Sequence, residues 1–202
     1  MADHLDFGSA GLRLDEGDHI CALYFGAAER DEILLPYLEA GLRAGDKCVC
    51  ILDNGDATGV IDRIDAGLDA SACIESEQLA MVPADEAYTR SGEFSPDQMI
   101  EYLDESVGNA IDGGEYPFVR AAGEMCWVLR EPPGAAQFID YESEINRFRS
   151  RYPQILMCMY DLERFGGGVV VDLLKTHPKL LLGGVLIDNP HALTPDEFRG
   201  RA

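Results

Sequence analysis

Runs that are apolar at most successive positions, rather than at every second one, constrain this chain more than any other feature. They recur as "HICALYF" (His19 to Phe25), "KCVCILD" (Lys47 to Asp53), the weaker "QLAMV" (Gln78 to Val82), "FVRAAGEMCW" (Phe118 to Trp127) and "ILMCMYD" (Ile155 to Asp161). A strand with no polar face must be covered on both sides, so these runs predict a mainly parallel sheet flanked by helices. The intervening segments supply the cover. A helix is expected from about Ala28 to Ala44, burying Ile33, Leu34, Leu38 and Leu42 and stopping at Gly45, with a kink at Pro36 or an effective start near Leu34. "NGDATG" predicts a turn into a short helix around Val60 to Gly67. The clearest helix starts at Ser95 as N-cap and Pro96 at N1, carries Met99, Leu103, Val107 and Ile111 as a stripe, and ends at Gly113 and Gly114. Another is expected from about Pro133 to Arg151, and a short one from Val169 to Thr176 is stopped by His177 and Pro178. Leu180 to Asp188 reads as a last strand, or as a hairpin bent at Gly183 and Gly184. One domain is expected over 17–191, between tails at 1–16 and 192–202.

The first strand, turn and helix have the outline of a phosphate cradle, and the residues argue against one. A P-loop reads G-x-x-x-x-G-K-[ST], the Lys neutralising the phosphates and the hydroxyl holding Mg²⁺. With Gly26 as the first glycine, the second falls on Asp31, the Lys on Glu32 and the hydroxyl residue on Ile33. Arg30 is the only cation nearby. Carboxylates in a first helical turn stabilise the helix and compete for the field a phosphate would use.

Charge excludes another class. The net charge is -21, with three lysines (Lys47, Lys175, Lys179) among 16 basic residues, so direct binding to a nucleic-acid backbone is not expected. The polar N-terminus and the lack of a long apolar run predict neither export nor membrane spanning, and place the chain in the cytoplasm. The six cysteines form no C-x-x-C, and free buried thiols without a metal are expected unless neighbouring strands align them into a cluster.

In open parallel sheets, ligands bind beyond the C-terminal strand ends. The candidate ligand-binding residues are His19 and Tyr24 on the first strand, Arg30 in the following helix, Arg120, Glu124 and Trp127 on the fourth strand, and Tyr160, Asp161 and Arg164 at the end of the fifth. Together they offer aromatic walls and a few charges. The alternative is that the charged members pair with one another and satisfy a polar edge. Arg120 and Glu124, four apart on a strand, share a face and are expected to pair. No nucleophile elbow, H-E-x-x-H or dinucleotide fingerprint occurs, so no catalytic residue and no cofactor is assigned, and His19 and His177 are expected to be structural.

"DHICALYF", "GLRAGDKCVCI", "SGEFSPDQMI", "RAAGEMCWVL", "DYESEIN", "MCMYDLERF", "HP" and "DNPH" occur in this order over Gly17 to His191. The ordered set resembles the MEDS domain, the sensory domain of methanogens, methylotrophs and DcmR. That resemblance implies a RecA/KaiC-like sandwich without a functional Walker A loop, and a non-enzymatic sensor of small molecules, hydrocarbon derivatives among them. It also implies regulatory protein partners of transcription-regulator, kinase or anti-sigma type. No such module is recognised in this chain, so its output is expected to pass through a separate partner, with homo-oligomers possible. The competing readings are a KaiC-like ATPase with an atypical phosphate loop and a pure interaction module.

Overall fold

A computed structural model describes residues 5–8, 12–53 and 56–200 of the chain. In chain order the elements are β1 (Leu5–Asp6), β2 (Arg13–Leu14), β3 (His19–Tyr24), α1 (Gly26–Ala44), β4 (Lys47–Leu52), α2 (Ala57–Arg63), α3 (Ala70–Glu75), β5 (Leu79–Pro83), α4 (Ala84–Ala87) and α5 (Pro96–Asp112). Then follow β6 (Val119–Glu124), two 3-10 turns (Cys126–Arg130, Ala135–Gln137), α6 (Phe138–Phe148), β7 (Gln154–Asp161), α7 (Gly167–Thr176), β8 (Lys179–Leu182), β9 (Val185–Asp188) and α8 (Pro195–Arg199).

Seven strands form one sheet in the order β5-β4-β6-β7-β3-β8-β9. Every neighbouring pair is parallel except the β8–β9 hairpin, which the glycine bend at Gly183 and Gly184 closes. β3, β6 and β7 are buried along their whole length, as continuous apolar runs require. Alternation along the strands divides the side chains between two cores. Ile20, Ala22, Tyr24, Cys50, Met157 and Met159 pack under α1 and α2, whereas Cys21, Leu23, Val49, Ile51, Cys158 and Tyr160 pack under α5, α6 and α7.

Several boundaries differ from expectation for local reasons. α1 begins at Gly26 and passes through Pro36 as one helix. Ser95 caps α5 by accepting from the Gln98 amide at 3.4 Å, as its sequence predicts. The fourth strand ends at Glu124, and a 3-10 turn carries Trp127; α6 is shorter than its expected segment, Phe138–Phe148. Both tails hold structure. β1 and β2 pair, and Phe7 and Leu14 are buried beneath α1. At the other end Thr194 and Glu197 form a capping box for α8, and Arg199 and Asp196 bridge to Glu144 and Arg147 of α6. Residues 1–4 and 9–11 of the expected N-terminal tail, and Asn54 and Gly55 of the expected turn, lie outside the described residues.

Candidate functional site

The C-terminal ends of β3, β4, β6 and β7 converge on a lattice of opposite charges. Glu124, at the end of β6, is its centre. Its Oε1 accepts from Tyr24 Oη and an Arg30 guanidinium nitrogen, each at 3.3 Å, and its Oε2 accepts from the Asp53 amide at 2.7 Å. Arg30, buried on α1, also donates to Asp31 at 2.9 Å and Asp56 at 2.8 Å. Asp53, just past β4, takes Arg130 on one oxygen and Arg164, at 3.4 Å, on the other. Burial raises the Glu124 carboxyl above its ordinary range, against the lowering pull of Arg30, and burial also raises the Tyr24 phenol, which stays a donor.

The start of α1 lies in the same region. Gly26 has the left-handed φ of +68°, and its amide donates to Asp161 Oδ1 at 3.1 Å. The preceding Phe25 amide donates to Glu29 at 2.7 Å. Two backbone donors at this turn, the Phe25 and Gly26 amides, are thus taken by carboxylates of the chain itself. Glu32, at the position of a phosphate lysine, is exposed.

Beside this lattice is an open cleft of about 680 Å³, lined mainly by apolar groups: Val128, Leu129 and Pro132 after β6, Ala135 and Phe138 at the start of α6, and Phe165 and Val169 after β7. Arg130 and Arg164 are the immediate chain neighbours of the lining residues Leu129 and Phe165, so their pairing with Asp53 joins the cleft to the charged lattice.

Of the nine sequence-selected residues, the structure brings together Tyr24, Arg30, Glu124, Asp161 and Arg164. Arg120 shares a face with Glu124 but does not have it as the expected partner: its Nε donates to Asp46 at 2.8 Å. The backbone of α1 approaches it so closely that a Cβ on Gly41 would stand 2.7 Å from Arg120 Cδ. Trp127 is fully buried, stacked on Tyr88 at 4.9 Å, and contributes no wall to the cleft. His19 and Tyr160 face the opposite core, where they meet Glu142, Cys158 and His177. His19 is pushed down to about 4 by burial first and by His177 next. Sequence reasoning missed Asp53, Asp56 and Arg130. The strand-end rule that selected Asp161 applies equally to Asp53, which follows β4.

The sheet order and helical cover define a RecA-like α/β protein. A KaiC-like protein from Pyrococcus horikoshii superposes with a TM-score of 0.61 at 12% identity, over 89% of this chain and 80% of the other. The flagellar accessory protein FlaH of Methanocaldococcus jannaschii gives 0.56 at 10% identity, over 92% and 84%. At these identities the likeness concerns the fold. The family is narrower: the sequence model of the methanogen/methylotroph, DcmR sensory domain matches residues 18–178, and the chain belongs to the MEDS family. It is 29% identical over 170 residues to the transcriptional repressor DcmR of Methylorubrum extorquens. That alignment covers 83% of this chain and 61% of DcmR, so the chain spans under two thirds of its relative. A sensory and regulatory role follows from this membership. Among the described residues no helix is long and apolar enough to cross a membrane.

Proposed function

We propose that this chain is a non-enzymatic, cytoplasmic sensor that binds a small, largely apolar molecule in the Val128–Val169 cleft and relays its occupancy to a regulatory protein. The observation that carries this reading is the mainly apolar cleft beyond the C-terminal ends of β6 and β7, with Glu131 as its one charged lining residue among the described residues. Its size suits a compact organic ligand, and hydrocarbon derivatives fit its lining. Filling it would press on Leu129 and Phe165, whose neighbours Arg130 and Arg164 both hold Asp53, so the ion lattice is the element through which occupancy would be felt.

A KaiC-like ATPase is disfavoured by the same region. Asp161 and Glu29 occupy the Gly26 and Phe25 amides at the head of α1, and Glu32 stands in sequence where a phosphate lysine would. The relay is supported by kinship to a transcriptional repressor.

The test is a thermal-shift screen of short-chain and halogenated hydrocarbons, alcohols and acids against the protein and a Val169→Trp variant that fills the cleft. A stabilising compound whose effect disappears in the variant, with the variant's own melting unchanged, supports the reading. Equal stabilisation of both proteins would remove the cleft from the account.

A further inference from the structure

His19 at the start of β3, Glu142 on α6, Cys158 in β7 and His177 after α7 bring one ligand atom each within 4.8 Å of one another, all four buried. The imidazole orientations are set by their outer nitrogens. His177 Nδ1 is 3.0 Å from the Leu173 carbonyl, which can only accept, and 3.0 Å from Thr176 Oγ1, whose own hydrogen has the Asp172 and Leu173 carbonyls as acceptors, so the hydrogen is assigned to that nitrogen. His19 Nδ1 is 3.1 Å from Asn146 Oδ1, whose amide nitrogen is spent on the Thr176 carbonyl at 2.6 Å, so it too is the donor. Both Nε2 atoms therefore turn inward on the same carboxylate oxygen, Glu142 Oε2, at 3.2 Å from His19 and 3.1 Å from His177. Cys158 Sγ is 3.5 Å from His19 Nε2.

Electron-rich atoms do not gather at such distances without a positive charge among them. Two imidazolium protons would place two cations with ring centroids 4.1 Å apart in an apolar core. One divalent ion resolves the conflict better. A tetrahedral ion with bonds of about 2.0 to 2.3 Å separates its ligand atoms by about 3.3 to 3.7 Å. The His19–Glu142, His177–Glu142 and His19–Cys158 contacts, at 3.2, 3.1 and 3.5 Å, lie near that range, and all four atoms lie within 4.8 Å of one another. Apart from one another and His19 Nε2, His177 Nε2 and Glu142 Oε2 have no hydrogen-bond partner among the described residues, which leaves both free to face a metal.

We infer that His19, Glu142, Cys158 and His177 form a closed tetrahedral site for a zinc-class transition metal. The ion would be held by two imidazole Nε2 atoms, one carboxylate oxygen and one thiolate. On binding, the Cys158 thiol proton is released to solvent, and the dication with two anionic ligands leaves the core site neutral. The outer contacts are those of a built site: Asn146 and the Leu173 carbonyl orient the imidazoles, and Tyr160 Oη donates to Glu142 Oε1 at 2.7 Å. With every position taken by protein, the ion would be structural, tying β3, α6, β7 and the end of α7 together.

The test is metal analysis of the purified chain, followed by unfolding in chelator and refolding with Zn²⁺ or Co²⁺. The expected result is stoichiometric zinc, a melting temperature lowered by its removal, and, with Co²⁺, intense tetrahedral d–d bands plus a thiolate-to-cobalt charge-transfer band. Cys158→Ser should lose the charge-transfer band and His177→Gln should weaken retention at least tenfold. Cys21→Ser, which alters the strand neighbour of Cys158, should retain metal. Should a variant fail to fold, the wild-type cobalt spectrum decides. A wild-type chain that refolds identically without metal and takes up neither ion would overturn the inference, as would metal held equally by folded Cys158→Ser and His177→Gln.

Discussion

The two polar regions of the molecule are built from opposite logic. At the strand ends, Arg30, Asp53 and Glu124 each have two or more partners, several of them partly exposed, so any one ion pair can be replaced by another or by water. Beneath α6 and α7, Glu142 and its two histidines are sealed from solvent and depend on one another. Redundant contacts near an opening let a region change its pairing, as a sensor's receiving site must; singular contacts in a core fix one arrangement. On the proposed reading the responsive part of the protein is the head of the sheet, and the sealed Glu142–histidine contacts beneath α6 and α7 are its rigid part.

The largest effect is expected from Glu142→Ala. It removes the acceptor of Tyr160 and the shared partner of two histidines, and should cost about 3 to 5 kcal/mol by urea denaturation. A loss no larger than that of a surface variant would erase the distinction between the regions. Glu124→Gln comes next, at about 1 to 3 kcal/mol, because it keeps an acceptor oxygen and leaves Arg30 with Asp31 and Asp56. Its pH dependence sharpens the point. Since burial raises the folded-state pKa of Glu124, its contribution to stability is full below the ordinary carboxylate pKa and declines as pH rises through the folded value. Because Gln does not titrate, the wild type should lose stability relative to Glu124→Gln as pH rises through that window, and parallel profiles would count against a desolvated carboxylate. The smallest effect is expected at Asp56→Asn, a partly exposed member of the lattice, at less than about 1 kcal/mol by the same assay.

The sheet and its long helices were legible because their signals are local. Ser95 and Pro96 announce α5, and unbroken apolar runs announce β3 and β7. The short elements were not, since β1, β2 and α8 hold two to five residues each; Leu14 of β2 lies in the core under α1, and α8 is tied to α6 by ion pairs. Site residues divide the same way. Strand-end position selected Glu124, Asp161 and Tyr24, but a shared face could not say which partner Arg120 or Glu124 would take. Asp46 and Arg30 reach them from α1 and its following turn. The buried histidine cluster was the least legible feature. His19, Glu142, Cys158 and His177 lie in four separate segments with no motif spacing, and only the order of parallel strands and crossovers brings them together.

The central claim, that the strand ends receive a small molecule and not a nucleotide, is tested most directly by methyl-labelled NMR. One sample would be titrated with Mg-ATP and another with the best compound of the hydrocarbon screen. The account predicts saturable shifts of the Val128, Leu129 and Val169 methyls with the compound, spreading to the surroundings of Asp53 and Glu124, and no saturable change with Mg-ATP. Saturable shifts with Mg-ATP around Ile33 and Leu34 of α1, with the cleft methyls silent to every compound, would contradict it.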